Sequence, residues 1–440
     1  MQGYFYDIAA EITARLQGRE VYTASFSAEE SDFVRFNRSA IQQAGTVVQR
    51  YLTIDLIDGR RHAAGTLSLC GDRESDAAQI AELLASLREQ RAQLPEDPFL
   101  LYSTDVRSSE RFLNDRLPDA GATVAAIQVA GRARDLVGIY AAGGIHSGFA
   151  NSLGQRNWHT SYSYNLDWSF FHTTDKAVKT SYAGFEWNAD EFARRVDVAT
   201  EQLALLGRRA HTIRPGRYRV YLAPTALYDL IGLLSWGGFG LRAHRTKTTP
   251  LIRMIEEGAR LHPAVSVTEN TRDGVAPNFQ GAGFIRPEQV ALIRGGTYAE
   301  ALVSPRSAAE YGVPTNAASA AEAPQSVDLA AGTLALDAVL RELHTGLYLG
   351  NLWYLNYSDR TACRTTGMTR FATFWVERGV IQAPTNVMRF DETLYRMLGE
   401  KLVALTAERE LIFDPDSYGQ RSTATARLPG ALIDEFTLTL

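Results

Sequence analysis

Two cysteines, Cys70 and Cys363, are all that 440 residues contain, which excludes a disulfide framework and a Cys-x-x-Cys metal knuckle. Long apolar runs are also missing. The longest, around Leu227 to Gly240, is too short and too glycine-rich to span a bilayer. Residues 1–16 carry Asp7 and Glu11 and lack the basic start and apolar run of a signal peptide, so the cytoplasm is the expected compartment. Basic charge is not in excess either, since 45 Lys and Arg stand against 50 Asp and Glu for a net charge of −5. That balance provides no nucleic-acid footprint. No internal repeat of fixed period is present.

What is there describes a folded chain. Hydrophobic residues make up 45% and charged residues 22%, a globular balance, and the length suits two or three domains. Tyr4, Phe5, Ile8, Ile12 and Leu16 predict an amphipathic helix over 3–17. Strands are expected at Glu20–Phe26, Asp32–Asn37, Val47–Ile57 and Arg61–Leu69, with a hairpin turn at Asp58-Gly59. A long helix follows at Ser75–Leu94. Ala120 to Trp187 reads as almost entirely β. Within it, Trp158–His172 alternates, with Trp158, Thr160, Tyr162, Tyr164, Leu166, Trp168 and Phe170 on one face and polar residues on the other. Helices are expected at Asp190–Leu206 and after Pro224, a surface loop over 304–332, and a late helix at Asp391–Leu405. The fold class is α+β: an N-terminal α+β domain over 1–200, then a C-terminal mixed α/β domain over 201–440 with a curved or barrel-like sheet.

Several motif fragments weaken on inspection. Gly237-Gly238-Phe239-Gly240 follows a helical run, where a dinucleotide site needs a buried strand before its glycines. Lys247-Thr248 lacks the preceding glycine of a phosphate loop. Gly144-Ile145-His146-Ser147-Gly148 sets its serine one place late for a nucleophile elbow and reads as a turn between strands. Eight histidines form no His-x-x-x-His or His-x-His pair, which leaves only a ligand set gathered from distant residues.

One succession of segments carries more. Thr345–Tyr354, Thr366–Arg370, Phe374–Gly379 and Asn386–Phe390, taken in that order, resemble the C-terminal domain of the TldD/TldE (PmbA, modulator of DNA gyrase) family. Val34-Arg35-Phe36, Ile41-Gln42-Gln43 and Gly138–Gly154 are similar to its N-terminal part. In that family one subunit type carries His-Glu-x-x-x-His on a helix after a strand and a proline, and its histidines hold zinc. Ser235, Trp236 and Gly240 would stand at those positions here, and Tyr418 where a C-terminal cysteine ligand belongs. Such residues do not make a zinc ligand set.

The resemblance therefore implies a TldE/PmbA-like subunit, without catalytic or metal-binding residues of its own. Zinc is expected in a TldD-like partner of a heterodimeric peptidase acting on peptides or unfolded segments. Self-association of the isolated chain is left open. Tyr162, Tyr164 and Trp168 are candidates for a substrate-chamber wall, and a packed sheet face is the plainer alternative. Two other readings stay open: a module that binds a peptide precursor, and an independent hydrolase using His146, His159, Asp167 and Glu186.

Overall fold

The structure, a computed structural model, describes residues 1–113, 116–173 and 176–440. Helix α1 (Gln2–Ala14) buries Phe5, Ile8, Ala9 and Ile12 on one stripe, as their spacing predicts. Three long strands follow, β1 (Val21–Asn37), β2 (Ala40–Asp58) and β3 (Arg61–Ser68). The two expected strands at 20–37 are one. Gly59 supplies the left-handed conformation (φ +64°) that the turn from β2 to β3 needs. Helix α2 (Arg73–Gln93) starts at Asp72, whose side chain accepts from the Ser75 amide.

Strand β4 (Ser109–Leu113), helix α3 (Ala120–Gly131), strands β5 (Asp135–Asn151), β6 (Arg156–Thr173) and β7 (Lys176–Gly184), and helix α4 (Ala189–Leu206) complete the first half. Here α3 corrects the all-β expectation for Ala120–Trp187. Asp119 caps it by accepting from the Ala122 amide at 2.8 Å, and Ile127 packs into the core beneath it. The Gly144–Gly148 segment is also strand interior, not a turn.

These strands form one sheet in the order β3-β2-β1-β5-β6-β4, with β7 also on β6. Helices α1 and α2 cover one end of one face over Phe26, Leu52, Ile54 and Trp158. Helix α4 covers the other end of that face over Trp168, Phe170 and Tyr182. The opposite face is polar, and the second half of the chain lies against it.

That second half is built on a thirteen-stranded mixed sheet among the described residues. Strand β8 (Gly216–Leu222) lies inside it, antiparallel to Thr425–Leu438 and parallel to Gly346–Leu349. The sheet branches and does not close into a barrel. The architecture is α+β, as the sequence predicts. Helix α5 (Pro224–Leu234) leaves β8 and packs Ala226, Leu227, Leu230 and Ile231 into the largest apolar core.

Two segments differ from expectation. Residues 304–332 hold a helix (Pro305–Tyr311) and a strand (Ser326–Leu329), and much of the stretch is buried. Its Ala-rich composition suits tight packing as well as a loop. Asp391–Leu405 is not a helix. It ends strand Arg389–Thr393, makes one helical turn at Arg396–Glu400 and begins strand Leu402–Phe413. Pairing with neighbouring strands at Arg364–Met368 and Thr425–Leu438 prevails over its helical spacing.

Candidate functional site

The polar face of the first sheet is made of small residues, Ser25, Ser27, Ser31, Ser147, Ser161 and Ser163 among them. Loops of the second half seal most of it. At one end His159 donates from Nε2 to the Val275 carbonyl at 2.8 Å, and Gln155 donates to the Gly283 carbonyl at 2.8 Å. Arg111 caps the carbonyls of Thr271 (2.9 Å) and Arg272 (2.7 Å). In the middle, Arg421 enters from the loop between strands Leu402–Phe413 and Thr425–Leu438. Its guanidinium donates to the carbonyl and Oγ of Ser163, both at 2.7 Å, and to Ser31 Oγ at 3.2 Å. Burial pushes its pKa down to about 10, which leaves it charged at neutral pH.

The far end stays open. A cavity of about 300 Å³ is lined there by Arg35, Asn165, Asp167, Ser169, Asp414 and Arg421, among others. A larger one of about 800 Å³ lies next to it, lined by Lys179, Arg195, Thr225, Asn351, Tyr348 and Glu410, among others. The Asp167–Lys179 ion pair (3.5 Å) joins the two linings.

Helix α5 borders this region. Its half-buried positions Thr225, Tyr228, Asp229 and Gly232 recur at spacings of three and four and form one stripe. Thr225 Oγ1 donates to the Gly350 carbonyl at 2.6 Å, and the Leu352 amide donates to Asp229 Oδ2 at 3.0 Å. The segment 345–354 is thereby tied to α5. Burial raises the Asp229 pKa to about 6, opposed by its bond from Leu352 and by the Lys179 charge. Burial likewise raises Asp167, against the same lysine.

These groups do not suit zinc. Two buried carboxylates biased towards protonation share the region with an ammonium ion, and the other stripe positions are Thr, Tyr and Gly. Among the described residues no group of three His, Cys, Asp or Glu forms a metal-ligand set.

The sequence-derived positions fall elsewhere. Ser235 is the C-cap of α5, Trp236 is 56% exposed, and Gly240 precedes the short helix α6 (Leu241–Arg245). None of the three lies within α5. Gly240 is packed so closely that a Cβ would stand 2.8 Å from Glu322 Cβ, so no imidazole fits. Arg360 holds this turn, donating to the carbonyls of Trp236 and, at 2.7 Å, Thr248. Tyr418 is fully exposed on the Arg421 loop.

Tyr164 and Trp168 are each 1% exposed in the core beneath α4. Tyr162 lies on the same face, edge-on to His146 with ring centroids 6.1 Å apart. The smaller cavity meets β6 through Asn165, Asp167 and Ser169 of the other face, and Trp168 is also part of its lining, whereas Tyr162 and Tyr164 are not. Nor do His146, His159, Asp167 and Glu186 assemble. His146 pairs across the sheet with Thr160 and so shares a face with Trp158, away from His159. Asp167 is eight residues along the strand from His159, roughly 26 Å, and Glu186 faces Arg116 at 3.6 Å. Burial depresses both histidines to about 4.

Asp229 and Lys179 were not singled out from the sequence. Asp229 had a signal, because it is the one charged residue in Pro224–Leu234.

A family model described as the PmbA/TldA metallopeptidase C-terminal domain matches residues 215–440. Among solved structures, the chain is similar to a protein from Thermotoga maritima described as a candidate modulator of a DNA gyrase. That match has a TM-score of 0.78 and 15% identity and covers 100% of both chains. It is similar to TldE from Thermococcus kodakarensis with a TM-score of 0.78 and 13% identity, over 99% of this chain and 100% of that one. A candidate modulator of DNA gyrase from Bacteroides thetaiotaomicron gives 0.72 and 14%, over 98% and 97%. No curated protein matches the sequence. The three structures share the fold, and the family match extends over more than half of the sequence, so the chain belongs to the metallopeptidase-like TldD/TldE (PmbA) family.

Proposed function

We propose that this chain is the non-catalytic, TldE/PmbA-like subunit of a heterodimeric zinc peptidase, forming part of the chamber in which peptides or unfolded segments are held. The observation that carries the reading is the α5 stripe. A strand, a proline and a helix stand in the order in which the family's zinc subunit carries its ligands. Here that helix lines the larger cavity with Thr225, and its stripe continues through Tyr228, Asp229 and Gly232, with the Lys179 charge acting on Asp229. A cation that belongs to the chain takes the place of a ligand set. The catalytic zinc is accordingly assigned to a TldD-like partner, and peptide is the substrate class.

The reading places the protein in the cytoplasm. Two free thiols, Cys70 exposed and Cys363 buried, suit a reducing compartment, and no helix is long and apolar enough to cross a membrane among the described residues. A second reading, a module that binds a peptide precursor on its own, is favoured by the size of the larger cavity, about 800 Å³. Calorimetric titration of the isolated chain with an unfolded model peptide separates the two. Binding without the partner supports the module, and binding that needs the partner supports the subunit.

A further inference from the structure

Residues 94–108 join α2 to β4 and contain no helix or strand. A connection of that length without regular structure is uncommon inside a folded unit and is usually functional. This strap touches both halves of the chain. Asp97 donates its amide to the Arg60 carbonyl at 2.8 Å, beside the turn into β3. Ser103 donates its amide to the Ala282 carbonyl at 2.8 Å, in the loop that seals the polar face.

The Asp97 carboxylate gathers three elements. It accepts from the Phe99 amide at 2.9 Å and from Arg306 Nη1, on the helix Pro305–Tyr311, at 2.6 Å. It also faces Nε2 of His62, on β3, at 3.4 Å. Nδ1 of the same ring faces Asp55 of β2 at 2.9 Å. Both nitrogens of one imidazole thus point at a carboxylate. A neutral imidazole has a single N–H, so its other nitrogen would turn a lone pair towards a negative oxygen. Only the imidazolium satisfies both. When the ring is neutral the shorter contact, to Asp55, keeps the hydrogen, and Asp97 is the partner that is lost. What then holds Asp97 is Arg306, whose side chain is 60% exposed, and ion pairs of that kind contribute little.

His62 lies on the polar face of the first sheet, since its neighbours Ala63 and Leu67 pack on the face that α2 covers. On that polar face β1 sets the uncharged Thr23 opposite Asp55, and Thr53 and Thr66 come next. Arg60 and Arg61, at the turn, are exposed. The charged groups that face the ring are Asp55, Asp97 and, behind Asp97, Arg306.

We infer that His62 is a pH-operated clasp, which fastens the strap to the first sheet as imidazolium and releases it as neutral imidazole. The bond to Asp55 above all, with Asp97 adding to it, raises the ring's pKa above the ordinary 6.5 against its partial burial. The fastening is therefore complete below pH 6.5 and is lost as pH rises through the raised value. Because Ser103 braces the sealing loop, release loosens that end of the polar face. The clasp needs neither zinc nor a partner, so it stands apart from the subunit reading.

Amide exchange of the full chain at about pH 6 and about pH 8.5, corrected for the intrinsic rate, reads the strap directly. Protection over residues 97–103 should fall at least about fivefold at the higher pH. In His62→Gln it should be low at both, with an unchanged unfolding midpoint at the higher pH showing that the variant is folded. Magnetic resonance titration of His62, assigned through that variant, should give a midpoint above 6.5 that falls in Asp97→Asn. Equal protection at both pH values in the wild type overturns the clasp, as does a pH dependence that persists in His62→Gln. A His62 midpoint at or below 6.5, or one indifferent to Asp97→Asn, overturns it as well.

Discussion

Arg421 illustrates how a single residue fastens the two halves together. Its guanidinium serves groups on β1, β5 and β6 at once, so its loss strands buried acceptors and frees the loop. Arg421→Met should cost about 2–3 kcal/mol, read as a lower denaturant midpoint. Asp229 works the other way. Its folded pKa, about 6, lies above the ordinary carboxylate value of 3.8, so its contribution to stability is present below pH 3.8 and is lost as pH rises through 6. Asp229→Asn should therefore match the wild type at pH 4 and exceed it increasingly up to pH 7, by up to about 3 kcal/mol. A midpoint series against pH checks the sign. His146 and His159 have the opposite linkage. With folded pKa values of about 4 against 6.5, they favour folding above pH 6.5, and that support disappears as pH falls through 4. His159→Gln should flatten this acid limb. Residue types hinted at Asp229, since it interrupts an apolar helix. The burial that raises its pKa depends on elements far away in sequence and could not be read.

At the scale of elements, α5 can be probed by adding side chains. A Cβ on Gly232 meets nothing within 4 Å, whereas one on Gly240 meets Glu322 at 2.8 Å. Gly232→His should keep the protein within about 1 kcal/mol of its stability, since a helical glycine is itself unfavourable. Gly240→His should cost about 2 kcal/mol or more by overpacking. Thermal unfolding of the pair shows which position has space before it. Strand β6 was legible as a strand because its alternation is strict. Which face met the cavity was not, since the sheet is covered on both sides and the aromatics pack beneath helices, Trp158 under α1 and α2 and Tyr164, Trp168 and Phe170 under α4. Helix α3 was missed although Asp119 marks its start, because Gly and β-branched residues dilute the helical signal in Ala120–Gly131. Asp391–Leu405 shows the reverse error, where helical spacing lost to strand partners that local sequence does not reveal.

For the whole molecule, the order of segments from Thr345 to Phe390 was enough to read the family, because those segments share one sheet and the loop tied to α5. The polar face of the first sheet, sealed at one end by residues 271–283 and open at the other, was not readable. It exists only when the two halves meet, and no local period encodes that contact. The central claim, that this chain contributes chamber walls and not the metal, is a claim about an assembly and is tested on one. The measurement is zinc content and peptide cleavage for the isolated chain, and for the chain purified with the TldD-like protein of its own genome. The account predicts no bound zinc and no cleavage by the isolated chain, with both appearing in the complex and surviving Asp229→Asn here. Stoichiometric zinc or peptide cleavage in the isolated chain would contradict it.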